Sequence, residues 1–159
     1  MAIDKVREYF AQYGMDSRIL EMELSSATVE LAAKAVGVEG ARIAKSLSFM
    51  TKDGPMLIIA AGDAKVDNSK YKHLYGQKAA MLKFDEVEEL IGHAVGGVCP
   101  FAIRDNVRVY LDESLKRFTT MFPACGSGNS AIELTLEELE KYSQNFVSWV
   151  NVTKGWEEA

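Results

Sequence analysis

Cysteine and histidine are scarce in this sequence, and their scarcity excludes several kinds of site. The 159 residues include two cysteines, Cys99 and Cys125, and two histidines, His73 and His93. A four-ligand zinc site would need all four side chains, at spacings that match no common zinc pattern. A disulfide is not expected, because such bonds belong to oxidising compartments and the chain begins without a secretory signal. We therefore expect a protein that uses no metal and no other cofactor.

Long apolar runs are also absent. The longest strongly apolar run, from Met56 to Ala61, is far too short to cross a bilayer. The first ten residues carry Asp4, Lys5, Arg7 and Glu8, so they lack the apolar core of a signal peptide. The prolines stand singly and no repeat or low-complexity stretch marks a domain boundary. We expect a single domain over residues 1–159, cytosolic and without a membrane partner.

Charge is distributed unevenly along the chain. The net charge of −5 argues against a general nucleic-acid binder, such as a DNA-binding protein, which would normally be basic. Between Lys65 and Lys83, however, five lysines accompany a single acid, Asp67. Most runs of this kind form a solvated surface. The alternative is a small patch that contacts an anionic partner, and both interpretations stay open.

The spacing of apolar residues predicts both helices and strands. Helices are predicted over residues 2–13, Thr28 to Val36, Asn68 to Tyr75, Asp85 to Ile91 and Leu136 to Ser143, the last with a capping box of Thr135 and Glu138. Strands are predicted at Arg18 to Met22, Ile43 to Phe49, Met56 to Ala61, Val107 to Leu111, Thr119 to Pro123, Ser130 to Leu134 and Phe146 to Val152. Runs of strands with a few inserted helices indicate an α/β protein of the α+β type. We expect a mixed, largely antiparallel sheet curled towards a barrel, with helices packed outside.

Lys45 is the most informative polar residue. It alternates with Ile43 and Leu47, so its side chain should start out pointing towards the core. A buried ammonium group is costly unless it is paired or opens into a wet cavity. The alternative is a lysine near a strand end whose stem lets the charge reach solvent.

Two glycine-containing loops could present backbone groups to a ligand. They are Gly96-Gly97-Val98-Cys99-Pro100 and Gly126-Ser127-Gly128-Asn129. Loops of this composition can cradle a phosphate or offer amide donors to an oxyanion, although ordinary turns have the same composition. Cys99 could act as a nucleophile only with a histidine brought near by the fold. A cysteine before proline in a tight loop is more often a small packing residue.

Together these segments resemble the YbaK/EbsC family, the editing domains associated with prolyl-tRNA synthetase. The resemblance rests on the stretch from Thr28 to Val38, on Ile43 to Phe49, on Gly96 to Phe101, and on Gly126-Ser127 through Ile132-Glu-Leu134 to Leu139. It covers nearly the whole chain in the right order. It implies free-standing editing: hydrolysis of mischarged aminoacyl-tRNA, in particular tRNA for proline carrying a small wrong amino acid.

The resemblance also implies roles for individual residues. Lys45 matches the central lysine of the family and would orient the substrate in catalysis. The resemblance makes Gly96, Gly97, Val98, Cys99, Pro100, Gly126 and Ser127 the expected substrate-binding residues, and the composition of the second loop adds Asn129. The charge run, rather than the resemblance, makes Lys65, Lys70, Lys72 and Lys78 the candidate tRNA contacts. The resemblance makes prolyl-tRNA synthetase the expected partner. Ala131 departs from the pattern, because some members that act on cysteinyl-tRNA carry an aspartate there.

The chemistry is feasible without a protein nucleophile. An aminoacyl ester is already activated, so an enzyme needs mainly to position it and stabilise the tetrahedral oxyanion. Lys45 would hold the terminal ribose-phosphate or the ester carbonyl, while backbone amides of residues 96–100 bind the developing charge and water attacks. Two alternatives stay open: a tRNA- or synthetase-associated binding module without catalysis, and a hydrolase of small esters or nucleotide derivatives.

Overall fold

A six-stranded mixed sheet forms the centre of the computed structural model, which describes residues 2–157. The strands are β1 (Ile19–Glu21), β2 (Ile43–Thr51), β3 (Gly54–Ala61), β4 (Lys65–Val66), β5 (Arg108–Asp112), β6 (Thr120–Pro123), β7 (Ser130–Ile132), β8 (Leu134–Thr135), β9 (Phe146–Val150) and β10 (Thr153–Lys154). The α-helices are α1 (Ala2–Ala11), α2 (Val29–Val36), α3 (Asn68–Tyr75), α4 (Val87–Ile91) and α5 (Leu136–Tyr142). Short 3₁₀ helices cover Asp16–Arg18, Gly40–Arg42, Phe84–Glu86 and Glu113–Arg117.

The central sheet has the strand order β8-β6-β2-β3-β5-β9. β2 and β3 form an antiparallel hairpin, and β6 pairs antiparallel with β8. The pairs β2–β6, β3–β5 and β5–β9 are parallel, so they need crossover connections, and α3 and α4 lie in the crossover from β3 to β5. The pairs β1–β7 and β4–β10 form two small antiparallel sheets. The expected mixed sheet with helices packed outside is confirmed.

Apolar side chains cover both faces of the β2–β3 hairpin. On one face Leu57 and Ile59 join a large cluster that includes Phe10 of α1 and Ile91 of α4. On the other face Ile58 packs in a second cluster, which also contains the following residues: Phe49, Met56, Tyr71 and Tyr110. β3 is thus buried on both sides from Pro55 to Ala61, as its continuous apolar pattern predicts.

Capping interactions set the ends of α2 and α5. The Thr28 hydroxyl accepts a hydrogen bond from the N–H of Leu31 at 3.2 Å, and Gly37 ends α2 in the left-handed conformation with φ 75°. Thr135 and Glu138 form the reciprocal capping box at the start of α5. The predicted capping box of α5 and the predicted end of α2 at Val36 are confirmed. Such ends are predictable because a cap depends only on residues a few positions apart.

The strand predicted from Ser130 to Leu134 is two strands with different partners. Ile132 of β7 pairs with Ile19 of β1, whereas Leu134 of β8 pairs with Met121 of β6. The chain changes sheets at Glu133. Within the described residues, no helix is long and apolar enough to cross a membrane.

Candidate active site

A cleft of about 400 Å³ opens along the free edge of β2. β6 pairs with β2 only at Ile43 and Ala44, where the register ends. Further along β2, the N–H of Leu82 donates to the carbonyl of Ser48 at 3.1 Å. Alternate residues of a strand direct their main-chain groups to the same edge, so those of Ser46 face the gap between these two partners. The cleft opens at this gap in the edge of β2.

The cleft wall is made of small, apolar and hydroxyl-bearing side chains. Its lining comprises Ser26, Ala27, Thr28, Val29, Ala32, Ile43, Ala44, Lys45, Ser46, Ser48, Met81, Leu82, Phe84, Val87, Val95, Gly96, Val98, Phe122, Ala124, Ser130 and Ala131. Lys45 is the only charged residue of this lining within the described chain. Among residues 2–157, no group of three or more histidine, cysteine, aspartate and glutamate side chains is placed to hold a metal ion.

Lys45 lies between two packed regions of one sheet face. Ile43 packs under α2, and Leu47 borders the cluster under α3, so the half-buried lysine occupies the space between these helices. Its Nζ donates to the carbonyl of Gly62 at 3.3 Å and to the carbonyl of Ala64. Burial lowers the pKa of the Lys45 ammonium, and the negative charge of Asp63 opposes that shift. The site thus holds a partly desolvated cation beside the cleft.

The first glycine loop contributes two residues, Gly96 and Val98, to the cleft wall. Gly97 instead packs against the second loop: a Cβ added there would lie 2.5 Å from the carbonyl carbon of Gly126 and 2.6 Å from the nitrogen of Ser127. The N–H of Gly97 donates to the carbonyl of Ala94 at 3.0 Å, so this amide is already used inside the protein. The predicted pair of loops is therefore in direct contact, and only part of the first faces the cleft.

The predicted residues of the second loop hold the wall together from outside the cleft. The amide of Asn129 donates to the carbonyl of Met22 at 2.9 Å, and the Ser127 hydroxyl lies 2.7 Å from that of Ser130. Gly126 donates its N–H to Gly97. The cleft itself is lined by the next two residues, Ser130 and Ala131, rather than by residues 126–129.

Cys99 and Pro100 lie behind the cleft wall. The Cys99 thiol is fully buried in the main core, and burial raises its pKa to about 12. His93, also fully buried, has its Nε2 3.4 Å from the Cys99 sulfur and 2.6 Å from the carbonyl oxygen of Phe101. Burial lowers the pKa of His93. A neutral thiol and a neutral imidazole that do not line the cleft are consistent with packing rather than nucleophilic roles.

Two serines of the cleft were not predicted from the sequence. The hydroxyl oxygens of Ser26 and Ser46 are buried and have no hydrogen-bond partner within the described residues. Ser26 is held by its own N–H, which donates to the carbonyl of Gly128. Unpartnered buried hydroxyls are costly, so these two groups are available to a bound ligand or to water. Serine is too common a residue for the sequence alone to single them out.

Apolar side chains also project at the mouth of the cleft. Phe84 is 79% exposed, Met81 57% and Val95 49%, although all three belong to the cleft lining. Lys83 directly precedes Phe84 and is exposed as well. A flat aromatic ring beside a cation is a surface suited to a nucleotide base and its phosphate.

The predicted tRNA-contact lysines differ in their availability. Lys65, Lys72 and Lys78 are exposed, and none lines the cleft. Lys70 is engaged within the protein, because its Nζ donates to the carbonyl of Thr153 at 2.8 Å and pairs with Glu157 at 3.3 Å. Any contact of these lysines with tRNA would therefore rest mainly on the other three.

Comparison with known proteins identifies relatives along the whole chain. A Bacillus subtilis protein described only as uncharacterised, YwhH, is 54% identical over 158 residues, which are 99% of this chain and 100% of that protein. Enterococcus faecalis EbsC, named as a proposed Cys-tRNA(Pro)/Cys-tRNA(Cys) deacylase, is 27% identical over 114 residues, or 70% of each chain. A crystal structure described as a proposed trans-editing enzyme for prolyl tRNA synthetase superposes with a TM-score of 0.83. It is 28% identical, and the match covers 97% of this chain and 98% of that one.

The family model named aminoacyl-tRNA editing domain matches residues 24–142. This range contains the cleft lining from Ser26 to Ala131, together with both glycine loops. Residues 143–157 of the described chain lie beyond the match. The chain belongs to the aminoacyl-tRNA editing domain family.

Proposed function

We propose that this protein hydrolyses the ester bond between a wrongly attached amino acid and its tRNA. The observation that carries the proposal is the position of Lys45 as the single charged side chain of the described cleft lining. Among residues 2–157, no cysteine, histidine or carboxylate lines the cleft beside it. A cation in a small, mostly apolar cleft suits an activated ester attacked by water, in which the protein stabilises charge and forms no covalent bond.

The lining supports a small, uncharged amino acid as the group removed. Ala44, Ala124 and Ala131 keep the cleft wall smooth, and the unpartnered hydroxyls of Ser26 and Ser46 can bond to the polar atoms of the aminoacyl group. Ala131 brings no carboxylate that would favour a cationic side chain. The relatives named for cysteinyl- and prolyl-tRNA editing support tRNA for proline as the carrier. Prolyl-tRNA synthetase is the proposed partner, because it is the enzyme that charges this tRNA and whose errors the hydrolysis would remove.

The reaction needs one water molecule and no oxidant, metal or second substrate. Water adds to the ester carbonyl carbon, and the carbon–oxygen bond to the ribose breaks, which leaves the free amino acid and a ribose hydroxyl. Charge develops on the carbonyl oxygen in between, and a cation or amide donor at that position lowers the barrier. Lys45 is one candidate. The N–H groups of Gly96 and Val98, which have no partner among residues 2–157, are others.

The mouth of the cleft suits the terminal adenosine of the tRNA. A cleft of about 400 Å³ is near the lower limit for small-molecule sites, so an aminoacyl group inside leaves the base outside. Phe84 and Met81 project there, and stacking of a base on an aromatic ring contributes about 1–3 kcal/mol. Phe84→Ala should therefore raise KM for aminoacyl-tRNA about tenfold or more. Leu74→Ala, on an exposed side chain outside the cleft lining, is the matched control.

Deacylation of a panel of tRNAs charged with the wrong amino acid tests the function. Lys45→Ala should lower kcat about 10²- to 10³-fold, the usual effect of removing one oxyanion-stabilising group. Lys45→Gln, which keeps a donor without the charge, should recover little. Folded Lys45→Ala with near-normal turnover would contradict the role of the lysine. If wild-type protein binds aminoacyl-tRNA but deacylates none, a binding module without catalysis is the correct assignment.

A further inference from the structure

We propose that the C-terminal segment, residues 153–157, positions Lys45 through Arg117 and Asp63. This inference rests on the proposed function, since it concerns the orientation of the lysine in the cleft. It adds Trp156, Arg117 and Asp63 to the residues on which catalysis depends, although none of them lines the cleft. They are positioning residues, which act through a chain of contacts.

The first contact is between Lys45 and the turn that follows β3. The ammonium donates to the carbonyls of Gly62 and Ala64, which flank Asp63. No carboxylate of the described residues forms a direct ion pair with Lys45, so these two carbonyls set where its charge lies. Gly62 is packed tightly, because an added Cβ would lie 2.1 Å from the carbonyl oxygen of Gly40. A shift of this turn would therefore move the ammonium group.

The second contact holds the turn itself. Arg117 binds the Asp63 carboxylate with both terminal nitrogens, Nη1 to Oδ2 at 2.9 Å and Nη2 to Oδ1 at 2.5 Å. Such two-point pairs fix orientation as well as distance. The arginine lowers the pKa of Asp63, so the carboxylate is charged at neutral pH. That charge and Glu30 of α2 favour the protonated form of Lys45, whereas burial and Lys65 oppose it.

The third contact orients Arg117. Its guanidinium carbon lies 5.1 Å from the centre of the Trp156 ring and 5.0 Å from that of Phe118. Its Nε donates to the carbonyl of Ser114 at 3.1 Å. Aromatic rings against a guanidinium group restrict its motion and attract its charge. Arg117 is thus held by Phe118, by the Ser114 carbonyl and by Trp156 of the C-terminal segment.

The fourth contact anchors Trp156 to the body of the protein. Its ring N–H donates to the Thr153 hydroxyl at 2.8 Å, which in turn donates to the buried Asp112 carboxylate at 2.6 Å. β10 pairs with β4 in the register Thr153↔Val66, directly after the turn that binds Lys45. The segment lies outside residues 24–142, so this support comes from a part of the chain beyond the family match.

Four variants test the inference. Trp156→Ala should lower kcat for deacylation about tenfold with KM nearly unchanged, because a small misplacement of a catalytic group costs rate rather than affinity. Trp156→Phe should restore most of kcat, since it keeps a ring against Arg117. Asp63→Asn should move the alkaline limit of the pH profile to lower pH, because it removes a charge that favours the Lys45 ammonium. Trp149→Ala is the matched control: the Lys116 ammonium lies 4.7 Å from the centre of this ring, which forms no hydrogen bond to the turn among residues 2–157.

A second measurement needs no deacylase activity. The rate at which an amine-reactive ester acetylates Lys45 at pH 8, read by peptide mass spectrometry, reports the unprotonated and accessible fraction of that amine. It should rise several-fold in Trp156→Ala and Asp63→Asn and stay at the wild-type rate in Trp156→Phe and Trp149→Ala. Unchanged acetylation and kcat in Trp156→Ala, or equal changes in Trp149→Ala, would overturn the inference. If Trp156→Ala does not fold, a comparison of Lys45 acetylation in Asp63→Asn, where it should rise, and in Trp156→Phe, where it should not, still tests the inference.

Discussion

Substitution of Gly97 by alanine should separate the two glycine loops. The new Cβ would lie 2.5 Å from the carbonyl carbon of Gly126 and 2.6 Å from the nitrogen of Ser127, about 1 Å inside ordinary contact. Both neighbours are backbone atoms, which cannot turn aside as a flexible side chain can. The loops must move apart, and the hydrogen bond from the Gly126 N–H to the Gly97 carbonyl, now 3.0 Å long, is strained or lost.

The expected cost follows from these two effects. Overpacking of a tight contact costs roughly 1–3 kcal/mol, and loss of one hydrogen bond about 1 kcal/mol. A total of about 2–4 kcal/mol should lower the thermal midpoint of a chain of this length by roughly 5–15 °C. The Gly96 side of the cleft would shift with the loop, so kcat/KM should fall as well.

Gly128→Ala is the matched control for this experiment. Gly128 lies in the second loop, its φ is outside the left-handed region, and an added Cβ would meet only the Ala27 Cβ at 3.9 Å. Both variants share the entropic effect of removing a glycine from the unfolded chain. Urea and thermal unfolding should show a large loss for Gly97→Ala and almost none for Gly128→Ala. Equal midpoints for the two variants would refute the direct contact of the loops at Gly97.

Three further predictions concern residues outside the cleft. Cys99→Ala should retain most of the activity, because its thiol is buried and neutral; loss of several orders of magnitude, or a trapped acyl-Cys99, would overturn this. Burial lowers the pKa of His93 in the folded state, so the unfolded chain binds a proton there more readily. Titration of His93 should therefore leave the free energy of unfolding unchanged above about pH 6.5. At lower pH it should reduce that free energy by up to about 1.4 kcal/mol per pH unit. His93→Gln should flatten this loss in urea titrations at pH 7.5 and 5.5. The double variant Lys72→Glu/Lys78→Glu should raise KM for aminoacyl-tRNA and make the slope of log affinity against log salt concentration shallower by about 1.5. Hydrolysis of an aminoacyl-adenosine should not change. Equal losses on both substrates would contradict a tRNA contact.

Local signals predicted the elements of this protein well. The helix from Asn68 to Tyr75 has its predicted bounds, and α2 ends at the predicted Val36. The alternation around Lys45 placed its side chain beside Ile43 on one sheet face, where the structure has it. α1 ends at Ala11, two residues before the predicted end, because the chain leaves the helix through a turn that ends at Gly14. These features depend on neighbours within a few residues, which is why the sequence alone could predict them.

The order of the motifs along the chain also indicated the family. No single segment was specific, but Lys45 and the two glycine loops in sequence were characteristic together. The family model confirms that interpretation. The individual roles of these residues remain predictions.

The helices, most of the strands, the core-facing direction of the Lys45 side chain and the family could be predicted from the sequence alone. Which loop residues face the cleft depends on the packing of distant segments: Gly97 and Cys99 turn towards packing partners, while Gly96 and Val98 remain at the wall. The same holds for the pairing of Ile132 and Leu134 with different strands. Asp63 and Arg117, 54 residues apart, meet only when β3 and the segment after β5 are packed together. Contacts of this range depend on the whole packed chain rather than on the residues that flank each partner.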